Sequence, residues 1–201
     1  TPQQVFDGLV KSARKHGHEI ISASASEGTI GREHLMQLLN LVEESEFVYV
    51  LETNGMTLGN DPEYALALAK YKKLHVRVSI KGDNPELYHE LTGAHPDSYE
   101  LPYKALSHLI EAGVSCNACL MASFSDEEGI KRVKGKLIDV HPGILKSLEL
   151  EKITMFPKVA QRLKQKDLKP INIKLTINTI SKFFHVLKSL GSQNIYNERT
   201  I

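Results

Sequence analysis

Phe6, Leu9, Val10 and Ala13 recur at the i, i+3, i+4, i+7 spacing that aligns side chains along one helix face, and Leu35, Leu38, Leu39 and Val42 repeat it. Between the two sets lies a short run at 20–25 that begins with two isoleucines and reads as a strand. The exchange of periods continues with a strand over 47–52 and a helix opened by Asp61-Pro62. There the aspartate can accept from free amides, and proline suits the first helical position. Residues 75–81 form the clearest strand. Asn84-Pro85 opens a short helix in the same way, and a second helix is expected over 99–111, ended by Gly113 before a strand over 114–122. Ser125 with Glu128 reads as a capping box. A last strand over 148–156 stops at Pro157, and a helix with Val159 and Leu163 facing inward follows. Regular alternation of this kind, with right-handed crossovers, predicts an α/β fold with a parallel sheet, open or curled into a barrel.

The faces of the strands separate those two forms. Val76, Val78 and Ile80 oppose His75, Arg77, Ser79 and Lys81. In the same way Val114, Cys116, Ala118 and Leu120 oppose Ser115, Asn117, Cys119 and Met121, and Leu148 and Leu150 oppose Glu149 and Glu151. The central strands of a doubly wound sheet meet helices on both sides and should be apolar on both, whereas in a partial barrel one face lines a cavity. The two-faced pattern favours the curled sheet, with its polar row satisfied by neighbouring side chains or by a polar ligand.

Of 201 residues, 41% are hydrophobic and 24% charged, enough for a sizeable core. A net charge of +1 excludes a polybasic nucleic-acid arm or an acidic tail as the organising feature. Residues 1–18 hold no signal-peptide core, and nowhere do about 18 apolar residues run together, so the expectation is a cytoplasmic protein without nucleic-acid or membrane partners. After residue 165 the alternation stops and Lys, Asn and Ile become frequent, which divides the chain into a barrel region, 1–165, and a C-terminal extension, 166–201. Ile177, Ile180, Phe184 and Leu187 suggest one amphipathic helix in that extension, docked against the main body.

Candidate chemistry gathers at the carboxyl ends of successive strands, where ligands bind in such folds: Ser24-Ala25-Ser26-Glu27-Gly28-Thr29, Glu52-Thr53-Asn54-Gly55, and Ser79-Ile80-Lys81-Gly82. No Walker loop, dinucleotide fingerprint, nucleophile elbow or zinc-protease histidine pair accompanies them. The set, together with Ile30-Gly31-Arg32-Glu33-His34-Leu35, Leu91-Thr92-Gly93-Ala94 and the stretch 112–125, resembles the radical S-adenosylmethionine superfamily, in particular a group of iron–sulfur oxidoreductases within it. The resemblance covers most of residues 3–165. It implies a partial (βα)6 TIM-like barrel around S-adenosylmethionine. Ser24, Ser26 and Glu27 then stand in the stretch that offers backbone oxygens and a carboxylate to the cofactor's amino group, with Ala25 where the group has glycine and Gly28 where it has proline. By the same likeness Glu52 and Asn54 face the cofactor from the next strand, and Ser79 with Lys81 reaches ribose hydroxyls or carboxylate. A zwitterion needs such a pairing, an anion for its ammonium and a cation for its carboxylate.

The superfamily's [4Fe–4S] cluster is held by three cysteines in a Cys-x3-Cys-x2-Cys loop after the first strand, and no such loop occurs here. Cys116 and Cys119, three apart on a strand, point to opposite faces and do not replace it, so no metal ligands are assigned. The resemblance therefore implies the barrel without its first strand and cluster loop. On that reading the chain is a portion of a radical enzyme that cleaves S-adenosylmethionine reductively to a 5′-deoxyadenosyl radical acting on an unknown substrate, inactive as it stands. The alternative is a cluster-free, non-catalytic nucleotide-binding or interaction module on the same scaffold. Catalytic residues are not identified by either. The strand at 20–25 would be left at an open sheet edge, so self-association is expected, or coverage of the edge by the chain's own 171–177.

Overall fold

The computed structural model describes residues 1–23 and 26–174. Ser24, Ala25 and the apolar set Ile177, Ile180, Phe184 and Leu187 lie outside the described residues. The elements run α1 (Pro2–His16), β1 (Ile20–Ile21), α2 (Arg32–Glu43), β2 (Val48–Thr53), α3 (Met56–Asn60), α4 (Pro62–Leu68), β3 (Leu74–Lys81), α5 (Pro85–Thr92), α6 (Leu101–Glu111), β4 (Cys116–Met121), α7 (Glu127–Val140), β5 (Glu149–Glu151), β6 (Ile153–Thr154), α8 (Pro157–Gln165) and β7 (Ile173–Lys174). The first five strands pair in parallel and in chain order, β1-β2-β3-β4-β5, into a curled half-barrel. No described helix is long and apolar enough to cross a membrane.

Register shows why the sheet is two-faced. Leu51, Val76 and Cys116 align across three strands, as do Thr53, Val78 and Ala118, and this face packs against the helices. Leu35, Leu38, Leu39 and Val42 of α2, with Leu106 and Leu109 of α6, are buried against it. Each such side chain contributes about 1.5–3 kcal/mol by leaving water. The opposite row, Glu52, Arg77 and Asn117 with Ser79, Cys119 and Glu149 one step along, faces the concave side.

Helix starts follow the expected chemistry with one exception. Asp61 accepts from the Tyr64 amide at 2.9 Å and Asn84 from the Leu87 amide at 2.8 Å. At α7 the cap is Asp126, which accepts from the Gly129 amide at 2.7 Å, and not Ser125. Starting the helix one residue later lets a carboxylate meet the free amides and leaves Ser125 buried. The expected strand over 148–156 is two strands. Glu149–Glu151 closes the main sheet, whereas the Ile153 amide donates to Ser123 Oγ and Ile153–Thr154 pairs with Ile173–Lys174 in a separate sheet. That pairing also corrects the proposed cover for β1. The described part of 171–177 lies against β6, and the Ile171 amide donates to the Ser123 carbonyl at 2.7 Å, at the far side of the half-barrel from β1.

Candidate functional site

The concave side has two levels. Deep in it, Arg77 on β3 is the hub. Its Nε and Nη2 donate to Glu149 Oε2 at 3.0 and 2.9 Å, its Nη1 to Glu52 at 3.3 Å, and its Nη2 also to Glu151 and to Cys119 Sγ. The reach follows from arginine's length: Glu149 sits two strands away, beyond β4, and neighbouring parallel strands are about 4.8 Å apart. Beside the hub, His75 Nε2 meets Asn117 Oδ1 and His75 Nδ1 meets Ser115 Oγ, both at 2.9 Å. Asn117 donates through Nδ2 to Glu149 Oε1 at 2.7 Å, which fixes its amide orientation. Its Oδ1 therefore accepts from His75 Nε2–H, and Nδ1 accepts the serine proton. Burial lowers the His75 pKa, which agrees with a neutral ring. The deep level is thus satisfied internally.

The Cys119 thiol and the Glu149 and Glu151 carboxylates come close enough together to surround a cation, and the Arg77 guanidinium already stands among them. Burial pushes the Cys119 thiol up, and Cys116, on the helix-facing side of β4, is raised to about 12 by burial. The two cysteines diverge as the alternation requires.

The upper level, at the carboxyl ends of the strands, is open. Asn54 after β2 and Ser79 and Lys81 at the end of β3 line a cavity of about 300 Å³ together with Met56, Tyr88 and Leu91. That is at the small end of sites for organic ligands, roughly 300–1,000 Å³. Among the described residues the Lys81 ammonium has one hydrogen-bond partner, Ser79 Oγ at 3.2 Å. Asn54 Oδ1 accepts at 2.9 Å from the amide of Met56, the first residue of α3. A second hollow of about 370 Å³, beyond Gly82, is walled by Asp83, Glu86, Glu90 and Asp126 with Arg132. Its carboxylates disfavour an anionic group there, and the Lys81 cavity favours one.

Glu27, in the loop after β1, reaches Asn54, which lines the Lys81 cavity. It caps the short 3-10 turn Gly28–Ile30, and its Oε2 accepts from the Asn54 amide at 2.7 Å. Ser26 is exposed beside it. Of the residues singled out in the sequence, Asn54, Ser79 and Lys81 therefore share one cavity, and Glu27 joins them through the Asn54 backbone. Glu52 lies a level deeper, in the arginine network. The hub itself was visible only as polar positions on one strand face. Thr29 and Thr53, which bind Glu27, stand within the two strand-end motifs, but nothing in the sequence marked them as its partners.

The needs of an S-adenosyl amino acid fit these residues: among the described residues, a cation without a carboxylate partner and a carboxylate oxygen with one acceptor position unfilled, with hydroxyl and amide groups and a thioether and aromatic wall. They do not meet the needs of a [4Fe–4S] cluster, because the chain has two cysteines, on opposite strand faces. Anaerobic reconstitution of this chain with iron and sulfide should leave no stable visible charge-transfer absorption after desalting. Retention of about four irons per chain would contradict the geometry.

The family model described as Radical SAM superfamily matches residues 1–134. Among solved structures, Streptococcus suis SuiB bound to S-adenosylmethionine aligns with a TM-score of 0.58 at 16% identity, covering 95% of this chain and 41% of that one. SuiB bound to its precursor peptide SuiA gives 0.56 at 17%, over 95% and 40% of the two chains. A structure of anSMEcpe with bound AdoMet and the peptide Cp18Cys gives 0.51 at 20%, over 74% and 42%. A search of curated proteins found no match. The chain spans about two fifths of the length of the solved structures it matches.

Proposed function

We propose, from the premise that this chain belongs to the radical SAM superfamily, that its upper cavity binds S-adenosylmethionine and that the chain forms the cofactor-holding wall of a radical enzyme. The observation that carries the reading is Lys81: an ammonium at the mouth of a half-barrel, with a serine hydroxyl as its partner among the described residues, facing a cavity of about 300 Å³. Lys81 then receives the cofactor's carboxylate and Glu27 Oε2 its ammonium. Ser79 and Asn54 meet ribose hydroxyls, and Met56, Tyr88 and Leu91 wall the apolar parts. Both contacts are charge-assisted hydrogen bonds, roughly twice as strong as neutral ones. Bound S-adenosylmethionine supplies, on one-electron reduction, a 5′-deoxyadenosyl radical. No electron-delivering step is assigned to these residues, since the two cysteines diverge.

Titration calorimetry of the chain with S-adenosylmethionine tests the site. Binding is expected, weakened about tenfold or more by Lys81→Ala and by Glu27→Gln, the loss for one hydrogen bond to a charged group. Affinity unchanged in both variants would place the ligand elsewhere. A second reading, binding without radical chemistry, is favoured by the same divergence of Cys116 and Cys119. Formation of 5′-deoxyadenosine from S-adenosylmethionine under dithionite would reject it. Both readings take the protein as cytoplasmic; the two thiols are free because they face opposite sides of β4.

A further inference from the structure

The Glu27 carboxylate is held asymmetrically. Oε1 accepts from Thr29 Oγ1 and Thr53 Oγ1, both at 2.7 Å, and from the Thr29 amide at 3.4 Å. Among the described residues, Oε2 accepts from the Asn54 amide only, at 2.7 Å. Each carboxylate oxygen offers about two lone-pair positions, so among the described residues Oε1 is filled and Oε2 keeps one open. The two threonines cannot turn away, being 1% and 3% exposed. Thr53 Oγ1 also accepts from the Gly55 amide at 3.1 Å, which commits its single proton to Glu27. The last torsion of a glutamate side chain is broad and two-fold, so rotamer preference does not decide which oxygen faces a ligand. These hydrogen bonds do.

We propose that Thr29 and Thr53 are positioning residues, which commit Glu27 Oε1 to the protein and present the open lone pair of Oε2 to the ammonium of the ligand's amino-acid arm. The inference rests on the reading of the cavity as an S-adenosylmethionine site and adds the device that orients its anion. Thr53 belongs to β2 and Thr29 to the turn after β1, so the pair also reports the docking of the first strand on the second. Without either hydroxyl the carboxylate can rotate, share its charge between two directions and lose its aim at a fixed ammonium.

The test compares two probes by calorimetry: S-adenosylhomocysteine, which has the amino-acid arm, and 5′-methylthioadenosine, which lacks it. Thr53→Val is expected to weaken S-adenosylhomocysteine about tenfold and leave 5′-methylthioadenosine unchanged, and Thr53→Ser, which restores the hydroxyl, to recover the loss. Thr29→Val and Thr29→Ser should repeat the pattern, which keeps the test in hand should one valine variant fold poorly. Equal weakening of both probes would show a merely structural role and overturn the proposal, as would no weakening of either. Failure of the underlying reading looks different: wild type and Glu27→Gln would then bind S-adenosylhomocysteine alike, or not at all.

Discussion

Arg77→Met is expected to cost about 3 kcal/mol of folding stability, the lower end of the range for removing one partner of a buried ionic network. The lower end applies because the guanidinium is 9% exposed while the side chains of Glu52, Glu149 and Glu151 keep 38%, 23% and 30% of their surface in water. Methionine preserves much of the volume but leaves three carboxylates facing one another across the concave side with no cation between them. Arg77→Lys should recover part of the loss, since an ammonium can serve one or two of these groups but cannot reproduce the planar fork that contacts all of them. The double variant Arg77→Met, Glu149→Gln should be more stable than the sum of the single changes implies, because the hub and the carboxylate that accepts from it twice are then removed together. Urea unfolding followed by circular dichroism reads wild type, the three single variants and the double variant. A cost below about 1 kcal/mol for Arg77→Met would mean that water already relieves the network.

Gly59→Ala is expected to lower stability by about 3 kcal/mol, at the top of the usual range for overpacking. A Cβ on Gly59 would stand 2.2 Å from the Leu101 carbonyl oxygen and 3.0 Å from Leu101 Cα. Both are backbone atoms at the start of α6, so no side-chain rotation relieves the contact and α3 has to move away from α6. Gly55 is under a similar restriction, with a φ of 76° and a Cβ position 2.9 Å from Pro102 Cα. The glycine in Thr53-Asn54-Gly55 thus serves the approach of α6 to the site, and shifting α3 shifts the Asn54 amide that holds Glu27. The contrast is Gly8, exposed within α1, where a Cβ meets nothing within 4 Å. Alanine there should stabilise the helix by about 0.5–1 kcal/mol. Thermal unfolding of the two variants side by side separates crowding from helix propensity: a Gly59→Ala protein as stable as wild type would show that α3 and α6 have room to give.

Much of the architecture was legible in the chain because periodicity is a local property. The alternation in β3 and β4 assigned Arg77, Ser79, Lys81, Asn117 and Cys119 to one face, and the opposite directions of Cys116 and Cys119 follow from the same period of two. Asp61-Pro62 and Asn84-Pro85 marked helix starts because a cap acts over three residues. The motifs at the strand ends carried the superfamily likeness and placed Asn54, Ser79 and Lys81 at one cavity.

Alternation states a face but not a height. Whether Arg77 reaches Glu149, two strands away, depends on the register that pairs Cys119 with Glu149, and that is set by how the whole sheet staggers and curls. The same limit hid the Thr29–Glu27–Thr53 contact, which joins residues 26 apart through the docking of β1 on β2. It also hid the break after Glu151, where Ser123 draws the Ile153 amide out of the main sheet. The sequence by itself determined the α/β order, the polar face and three residues, Asn54, Ser79 and Lys81, that line one cavity. Tertiary structure alone decided which of those polar groups satisfy each other and which stay open, because hydrogen-bond partners across crossovers are chosen by packing and stagger of distant elements, which local period and propensity do not encode.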